Sequence, residues 1–207
     1  MALEATHIKF ALDIKDIYKT SDLDAYLSGS IYPDSRYVTG VDRSLTHFDE
    51  LFNINSSEES DFKKGWASHM LCDKVMRDVK TELFSDILLP DQHNQWLQKT
   101  AFKILVDIEQ FELFNFDDYA SLCNYVENPL DEQLELIAKY NEVIRFTYQG
   151  KDVISINDCM ITWRGLGLDD HVQNELIEMV EKFASDSDIM NKVPQIYPRM
   201  IQLVQSI

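Results

Sequence analysis

The sequence predicts an all-α fold, a single-domain multi-helix bundle spanning residues 1–207. Three observations lead there. Apolar residues recur at three- and four-residue spacing through most of the chain, while strand-like alternation is almost absent. Only six glycines and five prolines punctuate it, without low-complexity tracts or internal repeats. No composition shift marks a boundary, and a chain of this length can bury one sizeable core.

The first helix is expected over 6–18, where Ile8, Phe10, Ala11, Leu12 and Ile14 mark a buried face and Thr6 a cap. A second, over 21–29, opens at Ser21. Residues 29–44, "GSIYPDSRYVTGVDRS", form the one long irregular stretch, because Gly29, Pro33 and Gly40 break the periodicity. Pro33 should also push Tyr32 out of helical geometry. Long ordered connections in compact domains are disproportionately functional. Further helices are expected near 44–53, 58–87, 91–114, 117–127, 130–148, 155–164, 169–185 and 187–205, with Asp91 and Asp169 as caps. Stripes such as Leu176, Ile177, Val180 and Phe183 read as core faces.

Composition narrows the function classes. Hydrophobic residues at 45% and charged residues at 27% are ordinary for a soluble globular protein. No run approaches the roughly 18 apolar residues needed to cross a bilayer. The N-terminus carries acidic residues where a signal peptide would be basic, so the expected compartment is the cytoplasm. Cys72, Cys123 and Cys159 are odd in number, widely spaced and free of any C-x-x-C pair. They predict reduced, buried thiols and argue against a thiolate zinc site. A net charge of -17 excludes a grip on long nucleic acid and disfavours anionic membranes. Much of that excess lies between Val106 and Glu142, where Lys139 is the one basic residue. The segment reads first as a solvated helical surface and second as a docking face for a basic protein partner.

The chemistry is concentrated near the N-terminus. His7, His47 and His69 each lie among apolar neighbours within the first 70 residues. A lone histidine on an apolar face is commonly a satisfied core residue; three in one segment, with carboxylates between them, are harder to explain that way. In "GWASHMLCD" (65–73), His69 and Asp73 stand at i and i+4, one face of a helix, with Cβ atoms roughly 5–6 Å apart. Imidazole nitrogen and carboxylate oxygen together suit zinc and similar divalent ions. Gly65, one turn earlier, would let another backbone approach closely. Asp34, behind Pro33, is the further candidate carboxylate; its plain alternative is a Pro-Asp turn. His93 is a peripheral candidate at most, and His171 reads as a first-turn surface residue.

In this order, His7, "GSIYPD" with Asp34, "TH" with His47 and "GWASHMLCD" with His69 and Asp73 resemble the zinc-dependent phospholipase C superfamily, which also contains fungal single-strand nucleases. The resemblance covers about residues 5–80. It implies an all-α fold and a divalent-metal cluster that hydrolyses phosphate esters. It further implies that Asp34, His47 and His69 hold one ion, that His7 holds another, and that Asp73 bridges them. Two features depart from the family. The chain begins Met-Ala-Leu where secreted members use an N-terminal tryptophan amine, and the later His-rich stretch of a third metal site is missing.

The expected activity is therefore a metal-dependent phosphoesterase using one or two divalent ions. Zinc comes first, with manganese, iron or nickel as alternatives, and a metal-activated water is the nucleophile. Asp34 and Asp73 are the expected catalytic carboxylates. Arg36 and Arg43 are the expected phosphate-binding residues, since guanidinium holds phosphate bidentately. Tyr32 and Tyr37 either wall the pocket or pack. An HD-domain phosphohydrolase is disfavoured because no His-Asp dipeptide occurs. The alternative of another class is a non-catalytic acidic helical protein with a structural or degenerate metal site.

Overall fold

The computed structural model describes residues 3–48, 59–87 and 92–205. Ten α-helices are present among them, and no strand. They are α1 (Glu4–Tyr18), α2 (Leu23–Ile31), α3 (Arg36–Thr39), α4 (Arg43–Thr46), α5 (Asp61–Phe84), α6 (Gln92–Phe111), α7 (Leu134–Tyr148), α8 (Ile156–Gly165), α9 (Asp170–Ser185) and α10 (Ser187–Gln205). Two 3-10 segments, Tyr32–Ser35 and Phe116–Asn124, complete them. No described helix is long and apolar enough to cross a membrane.

Helix α1 packs against both α5 and α6, α9 packs against α6, and α10 packs against α5, α6 and α9. The main core gathers Phe10, Tyr26, Phe84, Phe102, Tyr140 and Phe183 into one apolar cluster. A smaller cluster, built on Tyr32, Phe62, Trp66 and Met70, sits where α2 meets α5. Cys72, Cys123 and Cys159 are all free and buried, as their spacing predicted.

Several local expectations need correction. The stretch 29–44 is largely helical turns: α2 runs through Gly29 to Ile31, a 3-10 turn takes 32–35, and α3 follows before Gly40 stops it. Gly29 does not break α2 because it meets another helix there. Tyr32 keeps helical dihedrals, since Pro33 occupies the opening turn of the 3-10 segment, where a missing N–H is harmless. Thr6 is inside α1, not its cap, and the cap of α2 is Asp22 instead of Ser21. Asp169 does cap α9. Asp91 and most of the helix expected over 44–53 lie outside the described residues.

One crossing governs the arrangement. A Cβ placed on Gly65 of α5 would lie 1.8 Å from the Tyr26 carbonyl oxygen of α2. One placed on Gly29 of α2 would lie 1.9 Å from the Phe62 carbonyl oxygen of α5. Each helix therefore needs a glycine where the other's backbone passes, which is the close approach that Gly65 suggested. Gly65→Ala should lower stability by at least about 3 kcal/mol and the thermal midpoint by roughly 10 °C. A midpoint within a degree or two of wild type in calorimetry would show that the two backbones are free to separate.

Candidate metal centre

The close crossing brings four segments to one buried point. His7 comes from the first turns of α1, Asp34 from the 3-10 turn, His47 from the end of α4, and His69 with Asp73 from α5. His7 and His69 are almost fully buried, and Asp34 and Asp73 nearly so. The rings of His7 and His69 stack in parallel at 3.8 Å, and the His47 ring meets His69 edge-on at 5.2 Å.

Asp73 lies centrally. Its carboxylate stands 3.7 Å from Nε2 of His7, 3.7 Å from Nε2 of His47 and 3.9 Å from Nε2 of His69. Asp34 is 3.9 Å from Nε2 of His47. These separations exceed hydrogen-bond length but leave room for an atom between the donors.

Neighbouring groups fix the direction of the lone pairs. Nδ1 of His69 is 2.9 Å from the Ser30 carbonyl oxygen, which only accepts, so Nδ1 carries the proton and Nε2 is bare. The Thr46 hydroxyl donates to the Arg43 carbonyl, so Nδ1 of His47, 2.8 Å away, donates to Thr46 and again leaves Nε2 bare. Trp66 holds this turn in place, its indole N–H donating to the Thr46 carbonyl at 2.7 Å.

Both nitrogens of His7, Nε2 of His47, Nε2 of His69 and Oδ1 of Asp34 are buried without a hydrogen-bond partner. An unpartnered buried polar group costs roughly 1–3 kcal/mol, so several converging on one point form an unusual concentration of unmet demand. Burial, then the neighbouring imidazoles, holds the pKa values of His7 and His47 far below the usual histidine range. Both imidazoles are neutral, the form in which histidine binds a metal. Two donor triplets have ligand atoms within 4.8 Å of one another: His7, Asp34 and His69, and His47, His69 and Asp73. The donor set fits a divalent cation. His69 belongs to both triplets but has one bare nitrogen, so it can complete only one of them.

The resemblance implies Asp34, His47 and His69 about one ion; these three also lie close together, with Asp34 3.9 Å from Nε2 of His47, and His7 joins Asp34 and His69 in the first triplet. His93 and His171 lie elsewhere, exposed, each against Glu175. Arg43 lines a cavity of about 610 Å³ that opens onto His47 and Asp73. Arg36 does not line it; its guanidinium rests 4.1 Å above the Tyr37 ring. Tyr32 packs edge-on against Trp66 and donates to Glu132.

Sequence reasoning missed the rest of that cavity. Lys74, Arg77 and Lys80 on α5 and Lys99 and Lys103 on α6 line it, together with Trp96. The spacing alone does not mark them: Arg77 and Lys80 follow Asp73 at i+4 and i+7, and Lys103 follows Lys99 at i+4, which is also the pattern of a solvated helix face.

Against known proteins, the chain matches no family model, no curated protein and no solved structure. Its site is read from its own chemistry.

Buried tethers orient the first turns of α1. Asp107 of α6 accepts from the Thr6 N–H at 2.7 Å, the Thr6 hydroxyl at 2.9 Å and the Tyr148 hydroxyl at 2.8 Å. The Tyr140 hydroxyl lies 3.0 Å from the Ile31 carbonyl and 3.1 Å from the Glu4 carboxyl. Its single proton goes to the carbonyl, so Glu4 must donate, as a neutral acid. Burial, with Asp34 and Asp107 adding to it, raises Glu4 to about 8. The folded state thus retains a proton that the unfolded chain releases near 4.5, and stability from Glu4 declines as pH rises from there to about 8. Glu4→Gln keeps the donor and removes the titration. Relative to wild type, the variant should gain about 1.4 kcal/mol per pH unit across that window in urea unfolding. Parallel pH profiles for the two proteins would overturn the assignment.

Proposed function

We propose that the chain is a metal-dependent phosphoesterase related to the zinc-dependent phospholipase C superfamily. The observation that supports this best is the convergence of unpartnered ring nitrogens from three imidazoles and a carboxylate oxygen of Asp34 on one buried point beside Asp73. A core that merely tolerated histidines would give each ring nitrogen a partner.

The triplet His47, His69 and Asp73 is the one at the cavity, through His47 and Asp73, and would hold the ion nearest substrate. His7 and Asp34 would hold a second ion beneath it, or steady the first set. A divalent ion there supplies Lewis acidity toward a phosphoryl oxygen and lowers the pKa of a water toward neutrality. The protein's own contribution is orientation. Ser30 and Thr46 fix the imidazole tautomers, Asp34 and Asp73 direct the nucleophile, and the Arg43 guanidinium binds a phosphate oxygen. The surrounding wall excludes bulk water from the donors.

Metal content tests the reading apart from activity. Purified protein, or protein reconstituted with zinc, manganese, iron or nickel, should carry at least one equivalent by elemental analysis. It should also hydrolyse a nitrophenyl phosphate mono- or diester in a chelator-sensitive way. Asp73→Asn should lose the metal, at least 100-fold in kcat/KM, and the drop in thermal midpoint that a chelator causes in wild type. Substoichiometric metal after reconstitution would exclude the enzyme reading. Full metal without turnover of either ester would make the site structural.

A further inference from the structure

The wall of the cavity indicates what kind of substrate it receives. Arg43, Lys74, Arg77, Lys80, Lys99 and Lys103 all line it, and among the described residues Asp73 is the single acidic one that does. Six of the chain's 19 basic residues therefore face one cavity in a protein of net charge -17. Lys80 and Lys103 are also buried, at 8% and 6% exposure. Neither makes an ion pair with a described residue.

Charging these two buried lysines is unfavourable in the free protein: desolvation lowers the pKa of both, Lys80 to about 7 with Lys103 adding to it, although Asp73 and Asp34 offset part of the effect at Lys103. Nothing in the packing requires lysine there, because methionine or leucine would fill the same space. Such an arrangement gains its compensation when an anion enters. One phosphate group, already served by the donor cluster and Arg43, does not account for the buried Lys80 of α5 and Lys103 of α6.

The remaining wall is apolar. Trp96, Phe84, Phe102 and Met70 line it, with Thr81 and Thr100 as small polar neighbours. The Thr100 hydroxyl is buried and has no partner. A volume of about 610 Å³ lies within the range of roughly 300–1,000 Å³ typical of small-molecule sites. It is too small for a duplex, and the acidic exterior repels one.

We infer that the cavity binds a small molecule carrying two or more linked phosphates and an aromatic group, of the nucleoside diphosphate class. One phosphate sits at the His47 and Asp73 end. The others run along the lysines, and the base lies against Trp96. This deepens the phosphoesterase reading and rests on it for the orientation of the scissile phosphate, but the binding claim stands on the cations and Trp96 alone.

The test is calorimetric titration of the full-length protein with orthophosphate, pyrophosphate, AMP and ADP. Chelator is present, so that metal contributes nothing, and circular dichroism confirms the fold; if the fold needs metal, the series is run zinc-loaded. Pyrophosphate should bind at least tenfold more tightly than orthophosphate, and ADP more tightly than both AMP and pyrophosphate. Lys103→Met should weaken ADP and pyrophosphate at least tenfold, with Lys80→Met as the second variant should the first misfold. Trp96→Ala should weaken ADP alone. Equal affinity for orthophosphate and pyrophosphate, or ADP binding indifferent to both lysine variants, would overturn the inference. Tight ADP binding without turnover by metal-loaded protein would remove the phosphoesterase reading and leave the binding site. Turnover of simple phosphate esters without preference for diphosphates would do the reverse.

Discussion

The crossing of α2 and α5 at Gly29 and Gly65 sets the position of nearly every functional atom. With each glycine facing the other helix's carbonyl, the backbones approach more closely than side chains allow. That distance delivers the Ser30 carbonyl to Nδ1 of His69 and carries the 3-10 turn with Asp34 over the same face of α5. Trp66, one residue after Gly65, anchors the turn that holds His47. Within nine residues, "GWASHMLCD" supplies the crossing, the anchor and two of the five candidate ligands. A shift of α2 by one methyl group would move Asp34 and the Ser30 acceptor together, so packing and donor geometry are one constraint.

The site also concentrates unfavourable terms that the rest of the fold must offset. Unpartnered imidazole nitrogens, a buried neutral Glu4, and Lys80 and Lys103, buried without an ion pair to a described residue, all lie along α1, α5 and α6 or the turns beside them. Against them stand the aromatic core around Phe10, Phe84, Phe102 and Phe183 and the satisfied hydrogen bonds of Asp107. Asp107 shows the contrast most directly. It is as buried as His7, yet accepts three hydrogen bonds, which is how a structural polar group in this core looks. The histidines differ from it in chemistry, not in burial.

Much of this was legible in the sequence. Helical periodicity marks nearly every element from α5 onward within a few residues, because long amphipathic helices repeat their pattern many times. The five candidate ligands could be picked out because histidine and aspartate on apolar faces are conspicuous, and the structure does bring their side chains together. The stretch 29–44 was misread because glycine and proline carry two meanings each. Gly29 is a point of close approach inside a helix, and Pro33 opens a helical turn instead of breaking one. The stacking of His7 on His69 could not be read from the sequence, since it depends on how α1 packs against α5. The cationic wall escaped notice for another reason. Lys74 and Arg77 are exposed and have the spacing of any solvated helix face, and only tertiary packing buries Lys80 beneath them at the cavity.

The opposition between exterior and cavity is itself a selection device. Outside, the acidic surface repels polyanions at range, with an effect that decays over about 8–10 Å at moderate salt. Inside, the buried Lys80 and Lys103 lie beneath the exposed cations of the rim and strengthen attraction once a ligand has entered. A long polyanion meets the repulsion without reaching the attraction, because most of its charge stays outside the opening. A compact anion brings its whole charge within reach of Lys80 and Lys103 and favours the charged form of both. The acidic run from Val106 to Glu142 then needs no partner of its own to be useful. Two of its members, Asp107 and Glu132, are spent internally, on Thr6 with Tyr148 and on Tyr32. The others contribute to the exterior field that leaves the cavity to small anions.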